Sequence, residues 1–501
     1  MISKPRLSTV SFFILFLLSL GLLTTSQLAH LLGNREVAVG LGLGAMGVAW
    51  VLIVRLEKAN LLSWPVLFAT FFVAYVGSPT LEALLGVSPS HGEILGMIIQ
   101  SQELPLEEIA FLGGVSLVAF AFGLGSWYAL PFIKPRVKLF AKGEYVREAS
   151  SFYWVGVGAL LLGLALMLYD MTRVGGLQGL LTPRVERLYG LATTRGSLPA
   201  APLVFAGMAL AIVGWSSGRH RFIRGLLLGL LLFGWVAYLL IQGDRRFILY
   251  TLLVALGSFF IVRGATLRLS WSAFLAFFGL YILSSFFGGI RWLFMPLLQG
   301  SLSLGEAFAW VSENVSWSWF TPSSTEFMGP YTTLVFTLTD PAWWSTTQAP
   351  LGGYSYLFSL PNLLPRSLYP GDKWQTLGFQ FSDYIYTNYL APYFGAPVGF
   401  GLSPLAEAVL NFGRGFWAPL PLFFILGWVS GCLGSCASRR PLPWGIVYAL
   451  LLPQAFNLNR TDLAWSFQEA VYYAITGLVL LAGVRLLLKP RSLKEGYESR
   501  F

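Results

Sequence analysis

Residues 225–262 read GLLLGLLLFGWVAYLLIQGDRRFILYTLLVALGSFFIV. Two apolar runs, 225–242 and 247–262, flank the polar turn Gly243-Asp244-Arg245-Arg246. A surface helix of a soluble protein carries an apolar stripe backed by charge; here the apolar character goes all the way round. A helix needs about 20 predominantly apolar residues to cross a bilayer, so the stretch reads as one helix arriving at a membrane face and another leaving it. Outward from it, further runs lie near 8–29, 37–54, 62–77, 109–132, 152–170, 201–216, 272–290, 416–434, 443–456 and 470–488, which makes twelve. The composition agrees: of 501 residues, 55% are hydrophobic and 11% charged, against roughly 25% charged in soluble domains. Mean hydropathy is +0.67. A soluble globule, a disordered chain, a coiled coil and a disulfide scaffold are excluded. The expected fold class is all-α: a polytopic integral membrane protein with about twelve transmembrane helices.

Charge placement gives the expected orientation. With the amino terminus inside, the inner loops hold 21 basic residues against Glu57, Glu144, Glu148, Glu495 and Glu498. The outer side holds 12 basic and 18 acidic residues, so the inner side carries +16 and the outer −6 of the formal net +10. This is positive-inside behaviour, and it puts both termini in the cytoplasm. In a soluble protein +10 would suggest nucleic acid; here no nucleic-acid partner is expected. The run 8–29 is longer than the roughly 7–15 apolar residues of a signal peptide, and no small-x-small cleavage site follows, so it reads as a retained first helix. Cys432 and Cys436 read as small packing residues on one helix face.

Three regions are expected: helices one to nine over 1–290, a large outer, aromatic-rich segment over 291–415, and three helices with a basic tail over 416–501. The middle segment holds 26 Phe, Trp or Tyr in 125 residues. Such rings anchor at membrane interfaces, and their flat apolar faces with a polar edge also suit sugar rings. Surface-lying helices are expected at 303–313 and 381–391. Gly40, Gly42, Gly44 and Gly47 contain the G-x-x-x-G spacing that lets membrane helices approach closely.

Histidine occurs only at 30, 91 and 220, so a histidine-based nucleophile or metal site in the large segment is not expected. No D-x-D pair and no Walker A loop occurs. No metal and no cofactor are therefore expected. Of the 12 outer bases 11 are arginine, the exception being Lys373. Guanidinium offers a planar fork that grips phosphate bidentately. Arg245 and Arg246 sit at a predicted helix start, Arg291 at a helix end, Arg414 before the next run and Arg460 before the last. Together they predict a cationic pocket at the outer leaflet suited to a lipid pyrophosphate. A carboxylate acting as general base would come from Glu326, Asp340, Asp372, Asp383 or Glu407. Glu407 is the candidate chosen, since a helix would carry it to within two turns of Arg414, about 10 Å along the axis.

The block Leu364-Pro365-Arg366, Leu368-Tyr369-Pro370, Lys373 resembles the signature of bacterial oligosaccharide repeat-unit polymerases, the O-antigen (Wzy-type) polymerases. Leu405-Ala406-Glu407, Asn411-Phe412-Gly413, Asn457-Leu458-Asn459-Arg460 and the Arg246-x10-Gly257 spacing are similar to that family's pattern. The resemblance covers about 240–488. It departs from the pattern in one way: the Arg-x10-Gly element lies at a helix start and not in a clear outer loop.

The resemblance implies a GT-C-class glycosyltransferase of the bacterial inner membrane. Such an enzyme joins undecaprenyl-pyrophosphate-linked glycans into a surface polysaccharide such as O-antigen, at the periplasmic face. Glu407 would then be catalytic, and Arg245, Arg246, Arg291, Arg366, Lys373, Arg414 and Arg460 would hold pyrophosphate or glycan. Membrane lipids and a chain-length-regulating co-polymerase are the implied partners. A ligase-type glycosyltransferase and a transporter or flippase for lipid-linked glycans are the alternatives.

Overall fold

A computed structural model describes residues 9–86, 104–130, 144–173, 200–217, 221–241, 245–263, 265–268, 299–315, 320, 328–364, 375–391, 400–439 and 441–487, with isolated positions between 270 and 298. Among these residues there are helices and no strand; one isolated bridge joins Asn60 to Arg268. The long helices are α1 (Thr9–Leu31), α2 (Arg35–Leu56), α3 (Trp64–Leu84), α4 (Leu106–Ala129), α5 (Glu144–Arg173), α6 (Ala200–Ser217), α7 (Arg221–Ile241) and α8 (Arg245–Arg263). Shorter helices follow: α9 (Leu304–Asn314), α10 (Met328–Thr339), α11 (Pro341–Thr347), α12 (Tyr354–Phe358), α13 (Leu377–Ile385) and α14 (Pro404–Phe412). Three more close the chain: α15 (Pro419–Arg439), α16 (Pro441–Asn457) and α17 (Leu463–Leu487).

Nine of these helices, α1 to α7, α15 and α17, are long and apolar enough to cross a membrane. The protein is a polytopic, all-helical membrane protein. Of the twelve runs read from the sequence, 247–262 lies in α8, whose apolar part is shorter (Arg246–Ile261). The run 443–456 lies in the 17-residue α16, and most of 272–290 is outside the described residues. The run 62–77 continues to Leu84, because a π-helical turn at Val73–Gly77 precedes Pro79 and carries the helix through it. Proline lacks the N–H that an α-helical bond would use, and a widened turn accommodates that loss. The last helix begins at Leu463, seven residues before the expected 470.

The chain forms two units. The first comprises Met1–Lys134, Leu267–Gly434 and Gln454–Glu469; the second comprises Pro135–Thr266, Ser435–Pro453 and Ala470–Phe501. In the first, α2 meets α4 where a Cβ on Gly42 would lie 2.8 Å from the Ala110 carbonyl carbon. The expected G-x-x-x-G pair does not make this contact: Gly40 has nothing within 4 Å, and Gly44 meets only Leu22 at 3.8 Å. Gly42, Gly44 and Gly47 also match a dinucleotide-loop pattern letter by letter, but they lie inside α2 with no loop to cradle a phosphate. Phe68 stacks on Phe120 of α4, and Phe423 meets Phe72 edge-on.

In the second unit, α5 and α6 pack backbone to backbone. A Cβ on Gly156 would meet Ala211 N at 2.3 Å, and one on Gly207 would meet Leu160 N at 2.5 Å. Small residues are what let helices come this close in a bilayer. Trp235 on α7 donates to Thr251 on α8 at 2.8 Å.

Between α9 and α14 no described helix is long enough to span. The expected surface helix at 303–313 is α9, opened by a capping box in which Ser303 and Glu306 exchange hydrogen bonds. Its Leu304 and Phe308 are exposed. The expected surface helix at 381–391 differs: α13 starts at Leu377, passes into a π-helical turn at Tyr386, and buries Phe381, Tyr384 and Ile385. These rings cluster with Phe336 and Trp343, so apolar packing outweighs solvent exposure here.

Candidate functional site

Glu407 lies on α14, opened by Ser403, whose hydroxyl accepts the Ala406 N–H. Pro404 at the first helical position suits this start. The helix ends at Gly413, whose φ of 91° favours glycine. Within this helix Pro404 to Asn411 are all buried, and Glu407 is fully so.

Burying an ionised carboxyl is costly unless it is hydrogen-bonded, and Glu407 has built partners. Ser355 Oγ donates to Oε1 at 2.7 Å. The backbone N–H of Leu463, at the amino end of α17, donates to Oε2 at 2.7 Å. Asn411, one turn on, donates from Nδ2 to Ser355 Oγ and to the Glu407 carbonyl. Ser355 is delivered by α12, which starts after Gly352 and Gly353, both at positive φ. The Tyr356 hydroxyl feels both Asn411 and the Glu407 charge but closes no hydrogen bond among the described residues.

Burial is the main force on Glu407 and pushes its carboxyl up from 4.5 to about 8; the nearby Asp462 charge adds to this, and its two donors oppose it. Burial also raises the carboxyl of Asp462. The Tyr356 hydroxyl is raised by burial and then by the Glu407 charge.

A second polar cluster lies where α16 turns into α17. Glu469, the seventh residue of α17, accepts from Asn457 Nδ2 at 3.0 Å, Gln454 Nε2 at 3.3 Å and Trp465 Nε1 at 3.1 Å. Asn362 donates to the Ala464 carbonyl and to Gln468. Asn459 ties the turn down by donating to the carbonyls of Ala455 and Phe68.

The sequence-predicted bases fare differently. Arg291, Arg366, Lys373 and the side chain of Arg245 lie outside the described residues. Arg246 belongs to the second unit, with its guanidinium 4.9 Å from the Phe247 ring centre and 5.6 Å from that of Tyr250. Arg460 belongs to the first, 5.5 Å from the Phe456 ring. Arg414 is exposed and lies 5.2 Å from the Trp344 ring. It does not share a helix with Glu407, because Gly413 ends α14 before it; the expected two-turn spacing along one axis does not hold. Gly257, the end of the Arg246-x10-Gly spacing, is a packing position: a Cβ there would meet Leu452 Cδ1 at 2.4 Å.

Sequence reading missed Asp462, Ser355 and the Gln454–Glu469 cluster. Asp462 carried a signal, since an Asp just before Leu463-Ala464-Trp465 reads as a helix N-cap. Ser355 carried none beyond the preceding glycines. Among the described residues no three His, Cys, Asp or Glu side chains gather as a metal site. Compared with protein-family models, curated proteins and solved structures, the chain matches none.

Proposed function

We propose that this protein is a membrane glycosyltransferase that joins lipid-linked oligosaccharide repeat units at the outer face of the bacterial inner membrane. One observation carries the reading: the carboxyl chosen from its sequence motif is fully buried, is held by Ser355 and the first N–H of α17, and is pushed up to about 8. A general base works best with a pKa near the operating pH, and an ordinary surface glutamate is far below it. The substrate class, an undecaprenyl-pyrophosphate-linked glycan, comes from the family resemblance over 240–488.

In the proposed step the acceptor hydroxyl gives its proton to the Glu407 carboxylate, by way of the Ser355 hydroxyl that already donates to Oε1. The acceptor oxygen bonds to the anomeric carbon of the donor glycan, and the bond from that carbon to the pyrophosphate oxygen breaks. The leaving lipid pyrophosphate takes the negative charge. Fixed guanidinium groups stabilise such charge where it develops; Arg414 and Arg460, which belong to the same unit as Glu407, with Arg291, Arg366 and Lys373, are the bases proposed for this. A chain-length regulator is the protein partner this function calls for.

A second reading is transport of the same lipid-linked glycan, and one observation favours it. Glu469 lies within a candidate membrane span and is surrounded by amide and indole donors; ionisable groups at such depth mark ion and substrate paths.

Purified protein incubated with one lipid-linked repeat unit, with the products run on a gel, separates the readings. A ladder supports polymerisation. A single band shift onto a different acceptor means ligase activity and removes the polymerase. No covalent change removes glycosyl transfer and leaves transport.

A further inference from the structure

Glu407 is not alone at the amino end of α17. Asp462 caps that helix: Oδ1 accepts the Trp465 N–H at 2.9 Å and Oδ2 accepts the Gly378 N–H at 3.1 Å. The Thr376 hydroxyl donates to it as well. The next residue, Leu463, gives its N–H to Glu407. The two carboxyls therefore meet on neighbouring residues of one backbone, and both residues are at most 3% exposed.

Two carboxylates this close in a dry site cannot both ionise cheaply. Donors decide which one keeps the charge. Asp462 has four, its own N–H included, together with the cap position, where the helix dipole favours an anion; Glu407 has two. Arg460, two residues before Asp462, lies over Phe456, and Asp462 is the charged group that acts on Glu407. From α12 the group facing it is Tyr356. α10 contributes Tyr331, which is hydrogen-bonded to Thr80. α4 carries Glu107, paired with Arg35 at 3.2 Å, and Glu108. Arg414 lies beyond the end of α14, over Trp344.

We propose that Asp462 is a positioning residue for Glu407: the two carboxyls hold one proton between them across the first peptide of α17, and Asp462, by staying ionised, keeps that proton on Glu407. Asp462 thereby sets the pH above which Glu407 is free to accept a proton from a substrate hydroxyl. The inference rests on the reading of Glu407 as a proton carrier, and it adds the residue that controls its loading.

The test is infrared difference spectroscopy on the purified full-length protein in detergent, titrated over pH without substrate. Wild type should show a protonated-carboxyl band at neutral pH that Glu407→Gln removes. In Asp462→Asn, and in Asp462→Ser, which keeps a capping side chain, the midpoint of that band should fall by about one pH unit or more. Thr376→Val, which removes one donor from ionised Asp462, should draw the shared proton toward Asp462, so that Glu407→Gln removes less of the neutral-pH band in that background, and it decides the matter if neither Asp462 variant folds. The pH profile of glycan transfer should move with the band. No such band in wild type, an unmoved midpoint in the folded Asp462 variants, or an unchanged Glu407 share of the band in Thr376→Val, overturns the inference. Because the band is read without substrate, absence of glycan transfer would leave this result standing. An unmoved band would in turn leave the transfer reading in place.

Discussion

Two ways of burying helices contrast within this molecule. In the second unit α5 and α6 touch through Gly156, Gly163, Gly207 and Gly214, with backbone against backbone and no charged side chain at those contacts. In the first unit α12, α14 and the start of α17 bury Glu407, Asp462, Ser355 and Asn411 together. The glycine seam is a low-cost way to hold helices in lipid, where close packing supplies the attraction. The carboxyl cluster is expensive, since each buried charge must be hydrogen-bonded or neutralised. Costly burial that has nonetheless been furnished with a donor for each oxygen marks the place where chemistry is expected.

The largest effect should come from breaking the seam. Gly207→Val places atoms against the Leu160 N and the Gly156 carbonyl oxygen, both backbone, which cannot yield as a flexible side chain can. Overpacking of this kind costs about 1–3 kcal/mol. Folded yield by size-exclusion chromatography should fall sharply, whereas Gly158→Val, with nothing within 4 Å, should express normally. Equal behaviour of the two would remove the seam as a packing element.

On the polar side, Arg460→Lys keeps the charge and loses the planar fork. Polymer synthesis should drop nearly as far as in Arg460→Ala. Full-length polymer from the Lys variant would show that Arg460 does not grip a phosphate bidentately.

A further effect is on stability against pH. Glu407 has a folded value above its ordinary 4.5, so the folded protein holds a proton that the unfolded chain releases. Its contribution is complete below about 4.5 and is lost as pH rises through about 8. Tm should decline across that window in wild type and decline less in Glu407→Gln. Identical slopes would mean that Glu407 is not protonated in the fold.

Much of this contrast was legible in the sequence, and what was hidden has physical reasons. Apolar runs mark helices that are apolar all round, so eleven of the twelve runs fall on described helices. The start of α17 was hidden because Trp465-Ser466-Phe467-Gln468-Glu469 breaks the apolar run; Asp462 starts the helix there by capping it. The seam was hidden because Gly156 and Gly207 look like any of the 54 glycines until two helices are set side by side. Glu407 was named in the sequence as a candidate, on a helical spacing to Arg414 that Gly413 breaks. Its partners were not, since Ser355 and Asp462 lie more than fifty residues away on either side and only the fold joins them.

The most direct measurement of the central claim is the product made by purified Glu407→Gln from a lipid-linked repeat unit. Glutamine keeps the size of the side chain and cannot take up the proton. The account predicts bound but unextended substrate, with the rate lower by at least about 100-fold. A polymer ladder of normal length and rate from this variant would contradict it.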